Sequence, residues 1–329
     1  MQLLEKHLVA TLTLTIGLSL SASQAMAVEG GTPAYLLGSR DSFAGIVPGP
    51  GTYVGMDLIT FSGDIAGLSL GGLPIEADTD VDVNLIKVSI THVFDAQLWG
   101  GTPALNFNIP ILDAGIGFQA VRGPIAGADI KDDTSGVGDI TITPLVGWHR
   151  GMLHYSAGLS LFAPTGSYDT ASIDVPGRSI SALSNGKNVW SMQPVFAMTH
   201  FNPTTGLEFS GATSLLFSEK NDATDYQTGA AFTLESTAMQ HLPSGWAFGA
   251  SGYWYEQLED DSGTGADNTR NALNADSLRA RVFGLGPIVT FSDEMLGQPV
   301  SFKLKYFKEF GAKRRFESDV LWFNATITF

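Results

Sequence analysis

The sequence predicts an all-β protein, a transmembrane antiparallel up-and-down β-barrel of about twelve strands with both termini periplasmic. Three observations lead there. The N-terminus reads as an export signal, and no later stretch is long and apolar enough for a membrane helix. Strand-like runs are joined by connections that are in turn long and short. Lipid offers no partners for free backbone N–H and C=O groups, so a membrane protein without helices must close its strands into a barrel.

The signal occupies residues 1–27. Lys6 and His7 precede an apolar run from Leu8 to Leu20, and the small residues Ala25 and Ala27 fit cleavage after Ala27. The mature chain would then begin at Val28. As an anchoring helix the run is too short and wrongly flanked. The sequence has no cysteine, which excludes disulfides, thiol catalysis and cysteine-type zinc or iron–sulfur sites. A net charge of -15 argues against a nucleic-acid partner, which needs clustered cations. The 38 glycines and 10% aromatic residues suit tight turns and interfacial girdles, and they suit a soluble β-sandwich too.

Residues 28–51 are not strand-like. Gly30, Gly31, Gly38, Gly45 and the run Pro48-Gly49-Pro50-Gly51 punctuate apolar positions that include Tyr35 and Phe43. Two readings stand: a periplasmic tail, or a segment folded back into the lumen as a plug, with Tyr35, Phe43, Pro48 and Pro50 at a constriction. The barrel itself is expected over residues 52–329.

Strands are read from near Thr52, Val81, Thr102, Gly138, Met152, Lys187, Thr205, Tyr226, Gly245, Leu278, Pro299 and Phe316. Connections 95–101, 149–151, 202–204, 242–244 and 292–298 are the short set. Between them lie the long ones, 62–80, 120–137, 164–186, 218–225 and 257–277, and a last short hairpin at 311–315. Bacterial barrels keep short turns on the periplasmic side and long loops outside. Period-two alternation gives each strand a lipid face and a lumen face. Leu105, Phe107, Ile109 and Ile111 alternate with Asn106 and Asn108, and Leu304, Tyr306 and Phe310 with Lys303, Lys305 and Glu309. In the last strand Leu321, Phe323, Ala325, Ile327 and Phe329 alternate with Asn324, Thr326 and Thr328, Trp322 breaking the pattern. Prolines 110, 144 and 194 fall inside strands and suggest bulges or gaps, because each removes a ladder donor. The strand around residues 246–255 is aromatic on both faces and cannot be oriented from its pattern.

Alternation sends the strand charges inward. Asp57, Lys87, Asp139, Glu208, Glu235, Arg279, Arg281, Lys303, Lys305 and Glu309 all fall opposite an apolar stripe. Each would cost about 2–4 kcal/mol facing lipid at mid-bilayer. Basic residues on the strands near Arg279 and Lys303 would face acidic residues near Asp139, Glu208 and Glu235 as a transverse field lining the pore. The same residues would also serve as a cross-barrel salt-bridge network.

No catalytic site, metal or cofactor is expected. Ser156 and His154 share one strand face, but no acid or oxyanion donor accompanies them and no GxSxG elbow is present. The acidic loop runs around Asp78 and Asp260 lack calcium-loop spacing; they suit a solvated loop or divalent-bridged contact with lipopolysaccharide. Lys220 and Lys313-Arg314-Arg315 suit lipid phosphates or plain surface.

Several short motifs carry a resemblance. They are Gly38…Ala44-Gly45…Pro48-Gly49-Pro50-Gly51-Thr52-Tyr53; Gly136-Val137-Gly138-Asp139 with Pro144 and Gly147-Trp148; and Ala163-Pro164-Thr165-Gly166-Ser167-Tyr168-Asp169. In this order and spacing the chain resembles the "MetA-pathway of phenol degradation" family of Gram-negative outer-membrane channels, over nearly its whole mature length. The resemblance implies a monomeric barrel that admits small hydrophobic or aromatic molecules. The expected function is passive uptake of such solutes across the outer membrane, with membrane lipid and lipopolysaccharide as surroundings. The alternatives are a small general or ion-selective porin and a non-conducting structural or surface-binding barrel.

Overall fold

The computed structural model describes residues 29, 33–65, 68–70, 73–75, 78–119, 130–174, 179–181, 183–295 and 297–329. The export signal read over residues 1–27 lies outside them. The wall strands are β1 (Gly51–Ile65), β2 (Asp78–Val93), β3 (Thr102–Gln119), β4 (Ile130–Val137), β5 (Ile140–Arg150) and β6 (Leu153–Ala163). They continue with β7 (Ser191–Asn202), β8 (Leu207–Ser218), β9 (Ala231–His241), β10 (Trp246–Gln257), β11 (Arg281–Met295), β12 (Gln298–Lys313) and β13 (Glu317–Thr328). Each pairs antiparallel with its neighbour in sequence, save that β4 and β5 both pair with β3 and not with each other, and β1 closes the ring on β13, with Tyr53 opposite Thr328. Thr52 and Phe329 exchange backbone hydrogen bonds of 3.0 and 2.8 Å at the seam. Closure of β1 on β13 removes the free sheet edges that lipid would leave unsatisfied; among the described residues the half-strand β4 alone of the wall segments pairs on one side only, with β3.

The segments β4 and β5 are two halves of one wall strand, so the barrel has twelve strands. Both halves pair with β3, and the register slips by one between Ile111↔Val137 and Asn108↔Thr141. Gly138 and Asp139 fall in the slip, and the Gly138 amide donates to the Pro110 carbonyl at 2.9 Å. Of the three strand prolines, Pro110 therefore marks a break. Around Pro144 and Pro194 the register is the same on either side.

Strand faces follow the alternation. Met56, Leu58, Ile86, Phe107, Phe209, Leu304, Phe310 and Leu321 stand exposed on the outside. A soluble monomer would not carry so continuous an apolar surface; a lipid band requires it. In β10 the ambiguity resolves by burial: Ala247, Ser251, Tyr253 and Tyr255 are buried inward, while Trp246 and Phe248 are exposed. Trp246 packs on Phe291 of β11 with ring centroids 4.8 Å apart, as an interfacial aromatic girdle would.

The connections keep the alternation of lengths. A two-residue turn joins β5 to β6, whereas residues 164–190 join β6 to β7 and residues 258–280 join β10 to β11. That last loop contains a helix the sequence reading did not anticipate, α1 (Thr264–Ala272), preceded by Gly263 at φ 95°. A nine-residue amphipathic stretch inside a polar loop gives little periodic signal. Its buried side is the small residues Gly265, Ala266 and Thr269.

Candidate functional site

Residues 34–47 pack against the inward face of the barrel wall, and residues 48–50 are exposed where the segment joins β1. Strand periodicity is absent there because the backbone runs through turns, and the glycines let it approach the wall. A Cβ on Gly45 would overlap the backbone of Met198 and Thr199 on β7, and one on Gly38 (φ 84°) would press on the Phe307 ring at 2.8 Å. Tyr35 and Leu37 are buried in one cluster with Phe307, Trp322 and Tyr253, which are inward residues of β12, β13 and β10.

Polar contacts fix the same segment on both sides of the lumen. Glu235 on β9, 2% exposed, accepts hydrogen bonds from the Tyr35 hydroxyl at 2.6 Å and the Gly38 amide at 2.7 Å. Glu208 on β8, fully buried, accepts from the Phe43 amide at 2.7 Å, Ser42 at 2.8 Å and Ser210 at 2.6 Å. The His241 Nε2 lies 2.5 Å from the same carboxylate, and its ring stacks on Phe43 at 4.7 Å. On the facing wall Lys303 and Lys305 both bind Asp41, Lys305 at 2.6 Å with a further bond to the Gly38 carbonyl at 2.5 Å. Buried charges need such partners, since an unpaired one would cost several kcal/mol of desolvation.

Two smaller networks flank this one. Asp57 and Lys87 form an ion pair of 3.2 Å across β1 and β2. Trp322 donates to Asp57 at 2.6 Å, and the Lys305 ammonium sits 3.6 Å from the Trp322 ring centroid. Trp322, the break in the alternation of the last strand, is thus an inward residue, 1% exposed. Towards the long loops Glu309 accepts from Arg315 at 3.0 Å, Tyr253 at 2.8 Å and the Ser318 amide at 2.9 Å. Arg315 turns inward, away from the surface position first read for it.

A cavity of about 780 Å³ remains beside the inserted segment. Its lining is graded along the barrel. Towards the long loops it is apolar, with Phe61, Val81, Val83, Leu85, Leu112 and Ile116. Asp57, Lys87 and Lys305 form a belt below, and towards the short turns follow Asn106, Asn108, Thr143 and Ser160. Such a volume and mix of surfaces suit a small-molecule site.

The sequence-read site residues divide into three groups. Asp57, Lys87, Lys303, Lys305 and Glu309 line the cavity. Asp139 lines it too, with both oxygens engaged by loop amides, Gly166 at 3.0 Å and Lys187 at 2.7 Å. Glu208 and Glu235 face inward and hold the inserted segment. Arg279 and Arg281 lie elsewhere. β11 begins at Arg281 rather than near Leu278, so Arg279 is an exposed loop residue. A register shift follows Arg281, whose guanidinium lies 5.6 Å from the Phe283 ring centroid. The basic wall is therefore Lys303 and Lys305 alone, and it meets the acidic wall through the segment between them. Of the constriction residues, Tyr35 is buried and Phe43 half-buried, while Pro48 and Pro50 are exposed.

Two site residues escaped the sequence reading, Arg40 and Asp41. The signal was a lone charged pair inside an otherwise apolar and glycine-rich segment; a segment inserted between charged walls needs such a pair. The Ser156 hydroxyl bonds the Ala44 carbonyl at 3.5 Å, while His154 meets His149 at 2.6 Å. Serine and histidine thus have separate partners.

Comparison with known proteins agrees with this architecture. A COG4313 outer membrane channel from Pseudomonas putida F1 is similar with a TM-score of 0.60 and 15% identity, over 90% of this chain and 100% of that one. At that identity the likeness is one of fold. The translocator domain of the autotransporter NalP from Neisseria meningitidis is a more distant likeness, TM-score 0.43 and 14% identity, over 85% and 89% of the two chains. No curated protein matches the chain. The likeness to the COG4313 channel shows the fold, the closed antiparallel barrel of a bacterial outer-membrane protein. The profile of one family matches residues 58–325, most of the wall from β1 to β13, and the chain belongs to that family, "MetA-pathway of phenol degradation".

Proposed function

We propose that the protein carries small hydrophobic or aromatic molecules passively across the outer membrane. The observation that carries this reading is the apolar half of the lumen. In a water-filled porin the inward positions of β2 and β3 would be polar throughout; here their halves towards the long loops present Val81, Val83, Leu85, Leu112 and Ile116. An apolar solute gathered at the long loops would leave water for this wall, gaining about 25 cal/mol per Å² of apolar surface buried. It would then pass the segment at residues 33–50 and leave on the polar side among Asn106, Asn108 and Thr143. Diffusion down a gradient suffices. In this reading the termini and short turns face the periplasm, the long loops stand outside among lipopolysaccharide, and the barrel works as a monomer.

The charged belt favours one second reading, a small ion-selective pore. Two measurements separate them. Planar-bilayer recordings of a general or ion-selective porin give a steady open-channel current; the proposed channel gives little. Porin-deficient Gram-negative cells producing the protein should take up a radiolabelled aromatic such as toluene faster than cells without it. Neither current nor faster uptake would leave a structural barrel and overturn the proposal.

A further inference from the structure

The solute class can be narrowed from one side chain, resting on the channel reading above. The sequence carries 18 basic and 33 acidic residues, yet six basic and five acidic residues line the cavity among those described. Most of these cations are matched: Lys303 and Lys305 with Asp41, Lys87 with Asp57, Arg315 with Glu309. Arg40 is different. Its Nη1 meets the Gln193 side-chain oxygen at 3.4 Å and its Nη2 meets Ser160 Oγ at 3.2 Å, both neutral and both long for an N–H···O bond. No carboxylate lies within 4 Å of the guanidinium among the described residues. Glu235 is close enough to attract Arg40 by charge, but it meets Arg40 at hydrogen-bond distance through the backbone amide, at 3.4 Å, and both its oxygens already serve Tyr35 and Gly38.

A guanidinium has five N–H donors in a planar fork that matches a carboxylate. Arg40 spends two of them on weak neutral partners. It is held in place by the Tyr35 ring, 4.6 Å from its carbon, and by the ion pairs of Asp41 next to it. Its wall partner Ser160 stands two residues from Phe162 on the same face of β6, and both line the cavity. An apolar surface and a guanidinium with no carboxylate at ion-pair distance among the described residues therefore share one chamber.

We infer that the cavity binds small monocarboxylates with an aromatic or other apolar body, the ring on the apolar wall and the carboxylate on the Arg40 fork. Ser160 and Gln193 would give up their long bonds to Arg40 as the anion arrives. A neutral aromatic would use the wall alone.

Equilibrium binding to the purified barrel in detergent at pH 7, read by calorimetry, tests this with benzoate and benzyl alcohol, which differ little except in charge. Wild type should bind benzoate the more tightly. Arg40→Gln should weaken benzoate about tenfold or more, as loss of a charge-assisted pair does, and leave benzyl alcohol within about twofold. Arg40→Lys keeps the charge without the fork and should fall between; it reads the same contrast if Arg40→Gln does not fold. Equal weakening of both probes by the variants would mean that Arg40 only braces the segment, and would overturn the inference. So would a wild type that binds benzyl alcohol but not benzoate, with the channel reading intact. A wild type that binds neither probe removes the hydrophobic-solute reading and this inference together.

Discussion

Glu235 accepts from Tyr35 and Gly38 in a site that excludes water, so its removal strands two buried donors. Each unsatisfied group costs about 1–3 kcal/mol. The burden falls on the inserted segment, because Glu235 sits in a wall held by the ladders of β8 and β10. Glu235→Leu should therefore loosen the segment and leave the barrel folded. Open-channel current should rise, with an unchanged heat-dependent shift of the folded protein on gels. At the long-loop end Asp261 offers a pH dependence. It is buried and accepts from Tyr226, Gln257 and the Gly229 amide, the last at 2.9 Å. Burial outweighs these donors and pushes its carboxyl up to about 7. A carboxyl whose folded pKa is raised holds its proton more tightly in the folded loop than in the unfolded one. Its stabilising effect is thus full below the usual range near 4 and is lost as pH rises through about 7. Amide hydrogen exchange at residues 226–263, corrected for its intrinsic pH dependence, should speed up between about pH 4 and pH 7. Asp261→Asn should flatten that change.

In the proposed function the inserted segment is the element on which flux turns. It lies between the acidic residues of β8 and β9 and the lysines of β12, and its glycines bring it against the wall. Deleting residues 29–50 should raise conductance several-fold, as clearing a narrow pore does; a tail outside the lumen would leave it unchanged. Gly45→Val should act in the same direction more weakly, since any Cβ there overlaps β7 backbone. The wall was legible in the sequence because period two is imposed twice, by lipid outside and by charges and amides inside. The segment was not, because its backbone has no period and its side chains answer to several strands at once. Tyr35 and Phe43 could be named, but Arg40 and Asp41 could not be matched to partners some 120 to 264 positions away. Residues 278–280 joined the strand reading because apolar Leu278 and Ala280 fit its alternation; they are buried at the root of a loop instead. The helix α1 hides in that loop for the same reason, its buried face being Gly, Ala and Thr.

At the scale of the whole molecule, charge separates the surface from the lumen. The chain is strongly acidic, with a net charge of -15, while its cavity is near balance. An acidic exterior attracts cations to both mouths, so any small ionic current through the wild type should favour cations. The balance inside rests on Asp41, the only residue among those described that bridges to both Lys303 and Lys305. Asp41→Asn removes one negative charge from the inserted segment beside the cavity and takes from two ammonium groups their shared carboxylate. Lys305 is 2% exposed and has the Gly38 carbonyl and the Trp322 ring to fall back on. Lys303, with a quarter of its side chain exposed, can turn into the cavity. Net cavity charge becomes more positive on one side of the belt, and selectivity should follow the sign of the lining. Reversal potentials in a tenfold KCl gradient should shift towards chloride in Asp41→Asn, and the shift should shrink as ionic strength rises and screening shortens. An unchanged reversal potential would mean that ions bypass the belt, and that the lumen beside residues 33–50 is not the conducting path.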